Sequence, residues 1–293
     1  MEKNPKTALL GVGLMGRPMS ENLAAGQVPL TVWNRSSGKC DGLPDIGVEV
    51  AKSASDAVRG VAVVISMVAD GVASRALAET CLETLAPGAV WIDMSSTKPS
   101  DARDIAALLA TRGIAFLDAP VSGGTKGAEA GTLAIMAGGD ADTFEQAKPI
   151  LSHMGRPVLV GPVGAGQLAK LANQAIVACT IGAVAEATLL LTQGGADAAA
   201  VRDALSGGFA DSVILQQHGT RMSEGNFVPG GLSRLQVKDL INVADEAESL
   251  SLRLPVTEQI LLRFKRYVDD MDGGERDHAG LYEELKDLNG LSS

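Results

Sequence analysis

Thr7-Ala8-Leu9-Leu10 runs directly into Gly11-Val12-Gly13-Leu14-Met15-Gly16, and a helix-like stretch, Pro18 to Ala25, follows. An apolar strand, spaced glycines and a helix in that succession predict the first βαβ unit of a dinucleotide-binding domain. Gly11 permits the tight turn, Gly13 lets the backbone come up to a pyrophosphate, and Gly16 lets the helix lie close against the strand. The N–H groups and the dipole at the helix start then hold the anion. A purely structural turn is the competing reading. The cofactor-binding candidates here are Gly11, Val12, Gly13, Leu14, Met15 and Gly16.

The end of the next strand bears on the choice of cofactor. Leu30-Thr31-Val32-Trp33 reads as that strand and ends in Asn34-Arg35-Ser36-Ser37. An NAD site usually carries Asp or Glu about twenty residues past the glycines, to hold the ribose hydroxyls. Such a carboxylate would repel a ribose phosphate, whereas a guanidinium grips one with paired, charge-assisted hydrogen bonds. Asn34, Arg35 and Ser36 therefore predict NADP, with Ser37 and Lys39 as further donors. The alternative is that Arg35 is a solvated loop cation.

With 293 residues the chain is long enough for two domains. Apolar residues make up 46% and aromatic ones only 3%, so the cores must rely on Ala, Val, Leu and Ile. The net charge of −10 and the lack of a basic stripe argue against nucleic acid, whose binding rests on phosphate neutralisation. Cys40, Cys81 and Cys179 are far apart and odd in number, which fits a reducing compartment better than a disulfide framework. His153, His218 and His278 are scattered as well, so no metal site is expected. No signal-peptide pattern opens the chain, and a cytoplasmic location is expected. Leu171 to Leu191 is long enough to span a membrane, but Asn173, Gln174 and Glu186 interrupt it; a helix buried on most sides is the expectation.

The βα alternation continues through Val61–Val68, Val90–Asp93 and Ala115–Asp118, with helical patterns such as Ser100 to Arg112 between them. Near-continuous apolar runs are what strands covered on both faces require. Leu133–Ala137 and Val158–Val160 add short strands. The fold class expected is thus α/β, an open, mostly parallel, doubly wound sheet over residues 1–163. Residues 164–293 should be all-α, with helices over Gln167–Gln193, Asp197–Leu205, Leu232–Ser249 and Pro255–Asp269. Ligands of such sheets bind at the carboxyl ends of the strands. The cleft is therefore expected between the sheet and the helical half.

Lys170 and Asn173, three apart, share a face of the helix that begins after Gly166. An ammonium there can pass a proton or hydrogen bond to a carbonyl oxygen that receives hydride. Asn173 can hold that ammonium or the substrate hydroxyl. Spacing alone leaves open that Lys170 is merely solvated. Ser122, Gly123 and Gly124 follow a strand and would present a hydroxyl and backbone N–H groups to an anion such as a substrate carboxylate. An ordinary βα turn is the alternative.

These segments resemble the β-hydroxyacid dehydrogenase family nearly end to end. The resemblance is carried by Gly11 to Met19, Asp118 to Gly124, Gly127 to Leu133, Gly164 to Asn173 and Lys238-Asp239-Leu240. It implies a Rossmann domain and a helical domain of the 6-phosphogluconate dehydrogenase type, joined by a long helix, in a homodimer or homotetramer. It implies Lys170 as the catalytic lysine with Asn173 as its polar partner. Ser122, Gly123 and Gly124 would bind a small carboxylated substrate, with Asp239 beside it. Met67, Val68 and Ser96 would line the nicotinamide side, and Lys238 would reach the cofactor from the helical half. Relatives also often carry an aromatic after a Pro-Gly pair; here Pro229-Gly230 is followed by Gly231, which would make for a roomier pocket.

The activity expected is transfer of a hydride between NADPH and a small carboxylated aldehyde or β-hydroxyacid. Imine reductases resemble this fold and share an Asn-Arg strand end, but generally lack a lysine at the position of Lys170. A non-catalytic scaffold, the remaining alternative, would have lost that lysine as well.

Overall fold

A computed structural model describes residues 4–291 of the chain, which divides into two compact units, Met1–Lys170 and Leu171–Ser293. Among the described residues nine strands build the first unit: β1 (Thr7–Leu10), β2 (Leu30–Trp33), β3 (Glu49–Val50), β4 (Val63–Ser66), β5 (Val90–Asp93), β6 (Ala115–Asp118), β7 (Val121–Ser122), β8 (Leu133–Gly139) and β9 (Gly155–Gly161). Their order across the sheet is β3-β2-β1-β4-β5-β6-β8-β7, with β9 beside β8. The first six strands are parallel neighbours. β8 runs antiparallel to β6 and β7 and parallel to β9. The order reverses between β1 and β4, the switch point of a doubly wound sheet.

Helices α1 (Gly16–Ala25), α2 (Ala54–Ala57), α3 (Gly71–Cys81), α4 (Pro99–Ala110), α5 (Gly124–Glu129) and α6 (Ala141–Leu151) alternate with the strands. Successive strand residues point to opposite faces, and the core divides accordingly. Leu9, Ile65 and Ile92 pack with Met19 and Leu23 of α1. Their neighbours Ala8, Leu10, Val64 and Trp91 pack with Ile105 and Leu109 of α4 on the other side. That is why β1, β4 and β5 show no polar–apolar alternation and are buried throughout.

A long helix, α7 (Ala165–Gln193), leaves the first unit and continues into the second. There follow α8 (Ala198–Leu205), α9 (Val213–Glu224), α10 (Ser233–Ser249), α11 (Pro255–Asp269) and α12 (Leu281–Leu288). The second unit is all-α, as expected. Its core gathers Ala178, Ile181, Val184 and Ala185 of α7 with Leu240, Ile260, Phe264 and Tyr267. By length and composition α7 could cross a bilayer, and only 39% of its most apolar stretch is buried, so it is not the helix buried on most sides that its composition suggested: one face packs in the helical core while Ile176 and Leu190 are exposed. Glu284, buried on α12, is held by Arg263 (2.9 Å) and Arg266 (3.0 Å) of α11. A buried carboxylate needs such partners to stay charged.

Candidate functional site

Gly11 adopts φ +106°, and a Cβ there would overlap the carbonyl oxygen of Met67. One at Gly16 would overlap the carbonyl oxygen of Gly11. Both glycines are thus required by close backbone approach. Gly13 differs: a Cβ would meet nothing, and Gly13 and Leu14 are exposed. The start of α1 has no side-chain cap at Met15 and no acid in its first turn. An open glycine face beside uncapped helical N–H groups fits a nucleotide pyrophosphate.

Asn34, at the end of β2, turns its amide inward. Its Oδ1 accepts the Val12 N–H (3.0 Å), and its Nδ2 donates to the Ser36 carbonyl (2.9 Å). It braces the glycine turn against the loop that follows β2. Arg35 and Ser36 are exposed beside it, and the turn carries no carboxylate at the strand end.

At the carboxyl ends of β4 and β5 a buried polar network fixes the next loops. Asp93 accepts hydrogen bonds from Ser66 Oγ (3.0 Å), Ser74 Oγ (2.6 Å) and the Ser95 N–H (3.1 Å). Burial nevertheless pushes its carboxyl above the ordinary range. The Val68 N–H donates to Ser95 Oγ (2.9 Å), and the Met67 N–H to the Leu10 carbonyl (2.8 Å). Met67, Val68 and Ser96 are all half-buried.

Asp118, at the end of β6, is wholly buried. Its Oδ1 accepts the Gly164 N–H and its Oδ2 the Gln167 N–H, both at 2.8 Å, so it caps the start of α7. Desolvation, helped by the charge of Asp93, raises its pKa to about 6 against the pull of those N–H groups. Gln167 adds a second tie. Its Oε1 accepts the Thr97 N–H (3.0 Å) and its Nε2 donates to the Ser95 carbonyl (2.8 Å). Lys170 is half-buried, three residues further along this turn. Ser122 lies in β7 opposite Ala134, and Gly123 and Gly124 follow at φ +137° and +61°. Both glycines are exposed, and a Cβ on Gly124 would meet nothing, so their backbone can approach an anion.

In the second unit, Asn173, Asp239 and Lys238 come together through a residue that sequence reading missed. Asn173 Nδ2 donates to Gln174 Oε1 (2.9 Å), and Gln174 Nε2 donates to Asp239 Oδ2 (2.6 Å). Lys238 Nζ pairs with Asp239 Oδ1 at 3.2 Å. The signal was there, a second amide directly after Asn173 in an apolar helix.

The histidines bring a correction. Though sixty residues apart, His218 and His278 stack edge to face with centroids 4.6 Å apart, beside the buried Asp277. Asp277 Oδ2 accepts the Gly230 (2.8 Å) and Gly231 (3.0 Å) N–H groups, and its Oδ1 that of Ala279 (2.9 Å). Arg221 stands 3.6 Å from it and His218 Nδ1 also 3.6 Å. Burial would raise the Asp277 pKa; His218, the charge of His278 and these N–H groups outweigh it and hold the carboxyl below its usual range. His278 is pushed down to about 4, first by burial and then by His218, and is neutral at physiological pH. With both carboxylate oxygens engaged and an arginine alongside, the cluster reads as a structural keystone. It also bears on Gly231, where a Cβ would come within 3.0 Å of His278. The space beside this glycine is filled by an imidazole, not open.

Comparison with known proteins identifies the family. Residues 6–164 match the NAD binding domain of 6-phosphogluconate dehydrogenase. Residues 164–285 match the NAD-binding domain of NADP-dependent 3-hydroxyisobutyrate dehydrogenase. The chain is 39% identical to 2-hydroxy-3-oxopropionate reductase of Escherichia coli over 96% of its own length and 97% of that protein's. It is 36% identical to an NAD-dependent L-serine dehydrogenase of Pseudomonas aeruginosa, over 93% and 95%. Among solved structures, Mycobacterium tuberculosis 3-hydroxyisobutyrate dehydrogenase with L-serine superposes with a TM-score of 0.89 at 31% identity, covering 97% of this chain and 99% of that one. The apolar strand, glycine turn and helix, the helical second unit and these relatives agree: the chain belongs to the β-hydroxyacid dehydrogenase family and is an NAD(P)-binding enzyme of the 3-hydroxyisobutyrate dehydrogenase type.

Proposed function

We propose that the protein is an NADP-dependent reductase of small carboxylated aldehydes that runs in reverse as a β-hydroxyacid dehydrogenase. The observation that carries this reading is the placement of Lys170, on a helix whose first turn is pinned to the ends of β5 and β6 by Gln167 and Asp118. The bound cofactor supplies hydride to the carbonyl carbon. Gly11 to Gly16 and the start of α1 hold its pyrophosphate, while Arg35 and Ser36 hold the ribose phosphate. Met67, Val68, Ser96 and Lys238 complete its site. Ser122, Gly123 and Gly124 bind the substrate carboxylate, with Asp239 nearby. Lys170 stabilises the charge that develops on the carbonyl oxygen and passes it a proton, and Asn173 orients that exchange.

The same reading makes the chain a cytoplasmic homodimer or homotetramer that binds neither nucleic acid nor membrane. Ile176 and Leu190 of α7 and Val256 and Leu262 of α11 are each more than 60% exposed, apolar surface that a second copy would cover. The deciding experiment follows the loss of NADPH absorbance with a panel of semialdehydes, then with cyclic imines, repeated with NADH. Turnover of semialdehydes is expected. Activity confined to imines would make the protein an imine reductase; silence on both with NADPH still bound would make it a scaffold.

A further inference from the structure

Gln167 is wholly buried, and every polar group it carries beyond its helix start is engaged. Its N–H donates to Asp118 Oδ2 (2.8 Å), its Oε1 accepts from Thr97 N (3.0 Å), and its Nε2 donates to the Ser95 carbonyl (2.8 Å). The two side-chain bonds flank Ser96, a residue read above as lining the nicotinamide. One helical step of three residues further on stands Lys170. A single side chain thus ties the loop after β5 to the helix that carries the proton donor. We propose that Gln167 is a positioning residue that sets the spacing between the nicotinamide loop at Ser96 and the Lys170 ammonium, and so the geometry of hydride and proton transfer.

The chemistry of the side chain supports this. The loop offers one N–H and one C=O, pointing at the same place. A primary amide answers both with one group at any pH: an ionised carboxylate offers acceptors alone, a thioether offers no donor, and a carboxylic acid matches the amide only while it is protonated. If Gln167 only filled volume, methionine would serve as well, because it matches the length and is apolar among buried neighbours. Bonds to both sides of Ser96 also fix the loop in rotation as well as distance. A misplacement of about 1 Å at reacting groups can cost roughly a hundredfold in rate.

The proposal rests on the reading of Lys170 as proton donor, so Lys170→Ala is assayed in parallel. Gln167→Met and Gln167→Glu are prepared in the full chain, and their melting temperature, NADPH dissociation constant, kcat and KM are measured. The primary isotope effect is read with cofactor deuterated at the transferred position. The expected result is a kcat lower by about ten- to a hundredfold, an NADPH dissociation constant within about threefold of wild type, and a larger isotope effect as hydride transfer becomes rate-limiting. The folded methionine variant, which offers neither bond, decides the matter; the glutamate variant decides it where the carboxyl is ionised. Wild-type kcat and isotope effect, or a loss confined to NADPH affinity, overturns the proposal. Failure of both variants to fold would overturn it too, since Gln167 would then be holding up the fold. Full turnover in Lys170→Ala instead sinks the proton-donor reading, whatever the Gln167 variants do.

Discussion

Asp93 and Asp118 stand opposite one another across the β5–β6 pairing, at the carboxyl ends of both strands, and both carboxylates are wholly buried. Each is satisfied by a different set of donors, hydroxyls and one N–H for Asp93, the start of α7 for Asp118. Burial raises both acids, and the charge of Asp93 adds to the rise at Asp118. Two neighbouring acids therefore hold the loop after β5 and the helix that carries Lys170.

This pairing predicts a pH dependence. The pKa of Asp118 is about 6 in the folded chain against an ordinary 3.8, so the folded state holds this proton more tightly than the unfolded state. The stabilisation linked to it is complete below about pH 4 and disappears as pH rises through 6, a change of about 3 kcal/mol. In urea unfolding between pH 4 and 7.5, wild type should lose stability relative to Asp118→Asn as pH rises. A constant difference between the two proteins would show that Asp118 titrates normally.

Arg35→Asp should weaken NADPH binding by about 1.5–3 kcal/mol, the worth of hydrogen bonds to a charged group. NADH binding should weaken far less, because it lacks the ribose phosphate. Isothermal titration with both cofactors reads the contrast directly, and equal NADPH affinity in the two proteins would remove Arg35 from the site.

Lys170→Ala should lose about a hundred- to ten-thousand-fold in turnover while its NADPH dissociation constant stays close to wild type. Lys170→Arg should also be poor, since the guanidinium holds its proton too firmly and places it elsewhere. Turnover within a few-fold of wild type in the alanine variant would mean that Lys170 only solvates its helix.

Asp277→Ala should destabilise the second unit, by about 1–3 kcal/mol for each buried N–H group left without an acceptor. It leaves the Gly230, Gly231 and Ala279 N–H groups without their acceptor, while Arg221 keeps its bond to the Val228 carbonyl (2.6 Å). Thermal unfolding monitored by circular dichroism tests this; an unchanged melting temperature would mean that water takes over every bond.

Sedimentation velocity at micromolar concentration should show a dimer or tetramer, since closed symmetric assemblies are the common way to cover apolar helical faces. A monomer at that concentration would leave Ile176, Leu190, Val256 and Leu262 to some other partner.

The sheet was legible because its strands are buried on both faces and read as unbroken apolar runs, as in Val63-Val64-Ile65. The long helices were legible by length and composition. Two-residue β3 and β7 carry no period to detect, and four-residue α2 is too short for one. Helix α9 escaped because Gln216, Gln217 and His218 interrupt its apolar face, and its buried residues are only Leu215, Gly219 and Met222. Among site residues, glycines and Lys170 stand out by type and spacing. Gln167 does not, because its partners lie seventy residues upstream and only folding brings them within reach. The meeting of His218 with Asp277 and His278 was hidden for the same reason.

Asn34 couples the glycine turn to the loop that follows β2. Its amide serves two neighbours with opposite needs, the Val12 N–H and the Ser36 carbonyl. An aspartate in its place could still accept from Val12 but would turn a negative oxygen toward the Ser36 carbonyl. An exchange at the strand end alone would therefore also loosen the tie between the glycine turn and the loop behind it. Grafting the cofactor loop from a relative should therefore work best when residues 11–16 and 34–37 are moved as one piece.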